Sequence, residues 1–200
     1  MDLVAIAQDC APSIAPELMA AIVRTESGAK PFAIGINGGV RLKRQPRTQA
    51  EAVVTARWLI DQGYNVDLGP AQINSRNLDA LGLSLQAAFD PCANLAAGAS
   101  LLEDNYQRAL TRFGDPQQAV TAAVSAYNTG SFTAGVQNGY VARVRAHLDG
   151  AGPSHETRRH KNPILSPLST NAEAGSDAKP AANPILALGG GGGAASLLVR

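Results

Sequence analysis

Apolar residues recur at helical spacing along most of the first 150 positions, and residues that start or stop helices bound each stretch. Leu18, Ile22 and Glu26 fall four apart, so a carboxyl group lies on the stripe that the pattern assigns to the core. Proline suits the first turn at Pro16 and Gly28 supplies a stop, which predicts a helix over 16–27. Thr48-Gln49-Ala50-Glu51 reads as a capping box opening a helix that reaches Asp61 or Gln62 before Gly63. Asp90-Pro91 and Asp115-Pro116 each pair an N-cap with a proline at the first helical position. They predict a long helix to about Phe113 and another ending near Tyr127-Asn128, before Gly130. A short helix is expected over about 75–81, stopped by Gly82, and a last one from about Tyr140 to Leu148. Residues 29–47 carry Pro31, Gly35, Gly38, Gly39 and Pro46 and read as a long loop or small hairpin; 65–72 reads as turn-rich. Strand-length alternation is confined to the 32–42 region, so the class is mainly α.

Composition sharpens this picture. Aromatic residues are 4% of the 200-residue chain, so the core must be built from Ala, Leu, Ile and Val, which favours closely packed helices. After Gly150, glycine, proline and small polar residues take over, and Gly189 to Gly193 is an unbroken glycine run. The expected organisation is therefore a folded domain over 1–150 and a disordered low-complexity tail over 151–200. In that tail Asn162-Pro163-Ile164-Leu165 recurs as Asn183-Pro184-Ile185-Leu186, a short apolar handle that a partner could bind.

A formal charge of +1 gives no electrostatic reason to expect nucleic acid or an anionic membrane as a partner. Two basic clusters, Arg41-Leu42-Lys43-Arg44 with Arg47 and Arg158-Arg159-His160-Lys161, read as solvated loops. No apolar run approaches the roughly 20 residues of a membrane span. The start of the chain lacks the basic and apolar regions of a signal peptide, so either the protein is cytosolic or its export signal is missing from this sequence. Cys10 and Cys92 fit one disulfide and two buried free thiols equally well.

Glu26 is the leading candidate for chemistry. An apolar surround and the negative end of the helix dipole both disfavour a charged carboxylate there, and a carboxyl that keeps its proton near neutral pH can act as a general acid. Spacing alone does not separate this from a surface Glu at a helix end. His147, His155 and His160 show no ligand spacing with the cysteines, so no metal or other cofactor is expected. Ser-His and Cys-His nucleophile motifs are also missing.

Four segments in order carry a more specific signal. They are Glu26-Ser27-Gly28 followed by Pro31-Phe32-Ala33-Ile34, Gly69-Pro70-Ala71-Gln72-Ile73-Asn74, the stretch from Asn94 to Leu102, and Ala126-Tyr127-Asn128-Thr129-Gly130. Each alone is weak; the ordered set resembles the lysozyme-like lytic transglycosylases over about residues 8–148. The run Phe32-Ala33-Ile34-Gly35-Ile36-Asn37-Gly38-Gly39 resembles especially the branch that accompanies type IV secretion systems.

The resemblance implies an α+β lysozyme-like fold and a periplasmic enzyme that acts on peptidoglycan glycan strands, locally opening the wall for secretion-system assembly. It implies that Glu26 protonates the oxygen between N-acetylmuramic acid and N-acetylglucosamine, then accepts a proton as the sugar's own 6-hydroxyl closes a 1,6-anhydro ring. One carboxylate then suffices, unlike the usual two-carboxylate scheme. Ser27, Gln72, Tyr127 and Asn128 match positions lining the family's cleft, with the amides suited to N-acetyl groups and Tyr127 able to bond Glu26 or the sugar. In an exported protein a Cys10–Cys92 bridge is expected to pin the N-terminal segment to the long helix, and the tail is a candidate contact for other secretion components.

Many relatives carry Gly-Leu-Met-Gln where this chain has Gly69-Pro70-Ala71-Gln72, which implies a differently shaped cleft floor. Asp67, read as a turn residue or sugar ligand, would as a second carboxylate permit hydrolysis by water instead. The remaining alternative is a wall-binding module without activity.

Overall fold

The computed structural model of the protein describes residues 2–150. The expectations for residues 151–200, the disordered tail and its two Asn-Pro-Ile-Leu copies, lie outside the described residues.

Among the described residues, seven helices and a small sheet follow one another. Asp2 opens α1 (Leu3–Cys10), its carboxylate accepting from the Val4 and Ala5 amides at 3.1 and 3.2 Å. Helix α2 (Pro16–Ser27) begins on its proline and ends where Gly28 turns left-handed (φ 62°), its N–H donating to Arg24 O. All six residues from Leu18 to Val23 are buried, so α2 runs through the middle of the fold. α1 lies against α2 and α4, and α7 packs on α2.

Helix α3 (Gln49–Asp61) opens on Thr48, whose hydroxyl accepts from the Glu51 amide. The reciprocal bond of the expected box is shifted by one residue. Glu51 accepts from the Arg47 backbone at 2.9 Å and pairs with the Arg44 guanidinium. The long α4 (Pro91–Phe113) and α5 (Pro116–Thr129) start on Asp90 and Asp115 as expected, and they pack side by side. Both end on left-handed glycines, Gly114 and Gly130. A short α6 (Ala134–Gln137) leads into α7 (Tyr140–Asp149).

The three-stranded antiparallel sheet runs β1 (Ile34–Ile36), β2 (Val66–Leu68), β3 (Ile73–Asn74), with β2 in the middle. Ile34 pairs with Leu68, Gly35 with Asp67 and Asp67 with Asn74. The mainly helical class with a minor β part is as expected, but four local expectations are corrected. Residues 66–68 form the central strand and not a turn, and β3 is likewise a strand outside the 32–42 region. Residues 75–81 form one 3-10 turn, Ser75–Asn77, and then further turns in place of a regular helix. Helices α1 and α6 have no counterpart in the sequence reading.

Cys10 at the end of α1 and Cys92 at the start of α4 form a disulfide with 5.2 Å between their Cα atoms. The open choice between a bridge and two thiols is thereby resolved.

Candidate active site

Glu26 sits half-buried in the last turn of α2, at the end of the helix that crosses the core. The Tyr140 hydroxyl donates to its Oε1 at 2.7 Å. Tyr140 is itself buried at the first position of α7, so the packing of α7 on α2 fixes both partners. The sequence reading held Tyr127 able to bond Glu26 or the sugar and did not single out Tyr140. The two residues are 114 positions apart, and only the α2–α7 packing joins them.

Tyr127 is buried on α5 and donates instead to the carbonyl of Ala71 at 2.9 Å. Burial above all, and then the negative charges of Glu26 and Asp67, hold its hydroxyl well above the ordinary tyrosine range. It therefore works as a neutral donor.

The segment from Leu68 to Gln72 is held from behind by Asn94. This fully buried side chain of α4 donates to Leu68 O at 2.9 Å and Ala88 O at 2.8 Å, and accepts from the Ala71 amide at 2.7 Å. Gly69 takes a left-handed conformation (φ 73°), and any Cβ there would collide with the Ala88 carbonyl and the Asn94 side chain. Across α4, a Cβ at Gly98 would lie 2.8 Å from the Tyr127 hydroxyl and 3.0 Å from the Ala71 methyl group. Ala71 is thus a small residue against a glycine, and its backbone joins α4 to α5.

Gln72 is one of two non-glycine residues with positive φ (52°) among the described residues. Its side-chain amide donates to Gly69 O at 2.8 Å and Ala33 O at 3.3 Å, so both N–H groups serve the backbone. It ties β1 to the turn between β2 and β3. Asn128 at the end of α5 is buried, its Oδ1 accepting from Asn138 Nδ2 at 3.1 Å. Ser27 donates back to Val23 O at 3.1 Å within its own helix.

Asp67, expected in a turn, is buried in the central strand. Its Oδ2 accepts from Asn37 Nδ2 at 3.1 Å and its Oδ1 from Asn74 Nδ2 at 2.7 Å. Two side-chain amides from the flanking strand ends thus hold the carboxylate. Among the described residues, no three His, Cys, Asp or Glu side chains gather as a metal site would require, and no helix is long and apolar enough to cross a membrane.

The family profile described as "Transglycosylase SLT domain" matches residues 4–147. The chain is 47% identical over 150 residues to the type IV secretion system protein virB1 of Brucella suis biovar 1 (strain 1330), covering 72% of this chain and 63% of that protein. It is 43% identical over 139 residues to protein virB1 of Agrobacterium fabrum (strain C58), covering 69% and 56%. The chain thus spans less than two thirds of the length of these relatives. No solved structure matches it significantly. With a profile that covers most of its length and relatives of this similarity, the chain belongs to the transglycosylase SLT domain family.

Proposed function

We propose that this chain is a lytic transglycosylase that cleaves the β-1,4 bond between N-acetylmuramic acid and N-acetylglucosamine in periplasmic peptidoglycan, leaving a 1,6-anhydro product. Its role is then to open the wall locally where a type IV secretion system assembles. The observation that carries the reading is the setting of Glu26, a half-exposed carboxyl group at the end of the helix that crosses the core, with the Tyr140 hydroxyl on its Oε1. Asp67 lies buried in the central strand, each oxygen accepting from a side-chain amide. That arrangement suits a single residue working first as acid and then as base.

The steps balance on the substrate alone. Glu26 gives its proton to the glycosidic oxygen as the bond to the muramic acid anomeric carbon breaks. The sugar's 6-hydroxyl then attacks that carbon and returns a proton to Glu26, so no water is consumed. Tyr140 orients the carboxyl group throughout. Ser27, Gln72, Tyr127 and Asn128 serve the cleft, in our reading by shaping its walls through the bonds described above, with Asn128 and Ser27 nearest to direct sugar contact. The catalytic unit is residues 1–150, and the following segment serves recruitment to other secretion components.

Muropeptides released from purified peptidoglycan, analysed by mass spectrometry, test the reading. Anhydro products are expected; reducing ends would mean a hydrolase using Asp67, and no release a wall-binding module. Glu26→Gln keeps the shape but has no proton to give, so its release rate should fall by about a thousand-fold or more with an unchanged circular dichroism spectrum. Near-normal turnover by that variant would refute the assignment of Glu26.

A further inference from the structure

Charge is unevenly spread around the site. Between Glu26 and Glu51 there is no acidic residue, yet Lys30, Arg41, Lys43, Arg44 and Arg47 all fall there, in a chain whose net charge is only +1. All five are exposed.

The fold anchors this segment beside the sheet that carries Asp67. Gln45 reaches back to β1, its Oε1 accepting from Ile34 N at 2.8 Å and its Nε2 donating to Ile34 O at 2.9 Å. Glu51 holds the far end through the Arg44 side chain and the Arg47 backbone. At the near end Asn37 reaches Asp67. The strand from which the loop leaves is in turn tied to Gln72, through Ala33 O and through Gly35, where a Cβ would lie 2.8 Å from Gln72 Oε1. The loop is thus clipped at both ends and sits one short strand from Asp67 and Gln72, the latter matched to the family's cleft. Arg41 and Lys43, between the clips, have no ion pair among the described residues.

We propose that this loop is a specificity element that recognises the carboxylates of the stem peptides carried by the muramic acid residues. The inference rests on the function proposed above and adds the part of the substrate that the loop reads. Glycan strands are uncharged along their backbone, so a concentration of cations beside the cleft has no partner in the sugars. The stem peptides, attached through the lactyl groups of the bound strand, are its anionic part and project sideways from it. An anionic lipid surface would meet the same charge, but β1 ties the loop to the cleft wall, which favours a ligand that enters with the glycan.

The test uses the full chain and its Arg41→Gln/Lys43→Gln variant on two substrates, stem-bearing sacculi and the same glycan stripped of stems by an amidase. The wild type should prefer stem-bearing wall. That preference, as the ratio of kcat/KM for the two substrates, should fall about three- to ten-fold in the variant, the scale of two exposed charge contacts. It should also shrink as salt rises from 50 to 300 mM. Equal use of both substrates by the wild type, or an unchanged ratio in the variant, overturns the proposal. So does retention on phosphatidylglycerol vesicles that the variant loses without any stem effect. Co-sedimentation with the two substrates reads stem recognition independently of cleavage. If no anhydro product forms but the stem preference persists in binding, the catalytic reading fails and this one stands.

Discussion

At the scale of single residues, two tyrosines divide the work that one was expected to do. Tyr140 holds Glu26, and Tyr127 holds the backbone of Ala71. Tyr140→Phe removes one donor while keeping the ring, so kcat on peptidoglycan should drop about ten-fold with KM little changed; an unchanged kcat would remove Tyr140 from the mechanism. Tyr127→Phe should chiefly affect stability, by about 1 kcal/mol at neutral pH. The raised folded-state value of Tyr127 adds a pH signature. Below about pH 10 the phenol is protonated in both states, and above it the unfolded chain ionises first, so stability falls as pH rises. Urea unfolding between pH 9 and 11 should show a shallower fall in Tyr127→Phe than in the wild type. Glu26 was legible because its helix announces itself through Pro16, the stripe of Leu18 and Ile22, and Gly28. Tyr140 was not, because its role comes from the docking of α7 on α2, which no local pattern encodes.

At the scale of elements, the helices with strong punctuation were readable, as was the region of β1, and β2 and β3 were not. α4 and α5 each begin on an Asp-Pro pair whose carboxylate accepts from the amide three residues on, and each ends on a glycine. β2 is three residues long and buried at every position, so it shows no alternation, and its Asp67 looks like turn chemistry until Asn37 and Asn74 are seen around it. Asn94 is one of the links between the sheet and the helices. Asn94→Ala would remove one hydrogen bond each from Leu68 O, Ala88 O and the Ala71 amide. We expect a loss of about 3 kcal/mol or more in urea-induced unfolding; a loss under about 1 kcal/mol would mean that the loop holds its own shape.

For the whole molecule, the bridge between Cys10 and Cys92 closes a separation of 82 residues and ties the first helix to the longest one. In the chain-entropy view such a crosslink stabilises by about 4 kcal/mol. Reduction should therefore lower the melting temperature by about 10 °C in a calorimetric scan, and alkylation before reduction should label no cysteine. A shift within about 2 °C would place the bridge outside the cooperative unit. The clip of Gln45 on Ile34 has a consequence of another kind. A sheet as small as this one leaves its outer strand open to any passing extended peptide, and sheets grow by recruiting such peptides. By filling the outward-facing amide and carbonyl of Ile34 with a side chain that cannot propagate the ladder, Gln45 closes that edge to neighbouring copies. β1 is thereby kept from serving as a seam through which copies of the chain could polymerise.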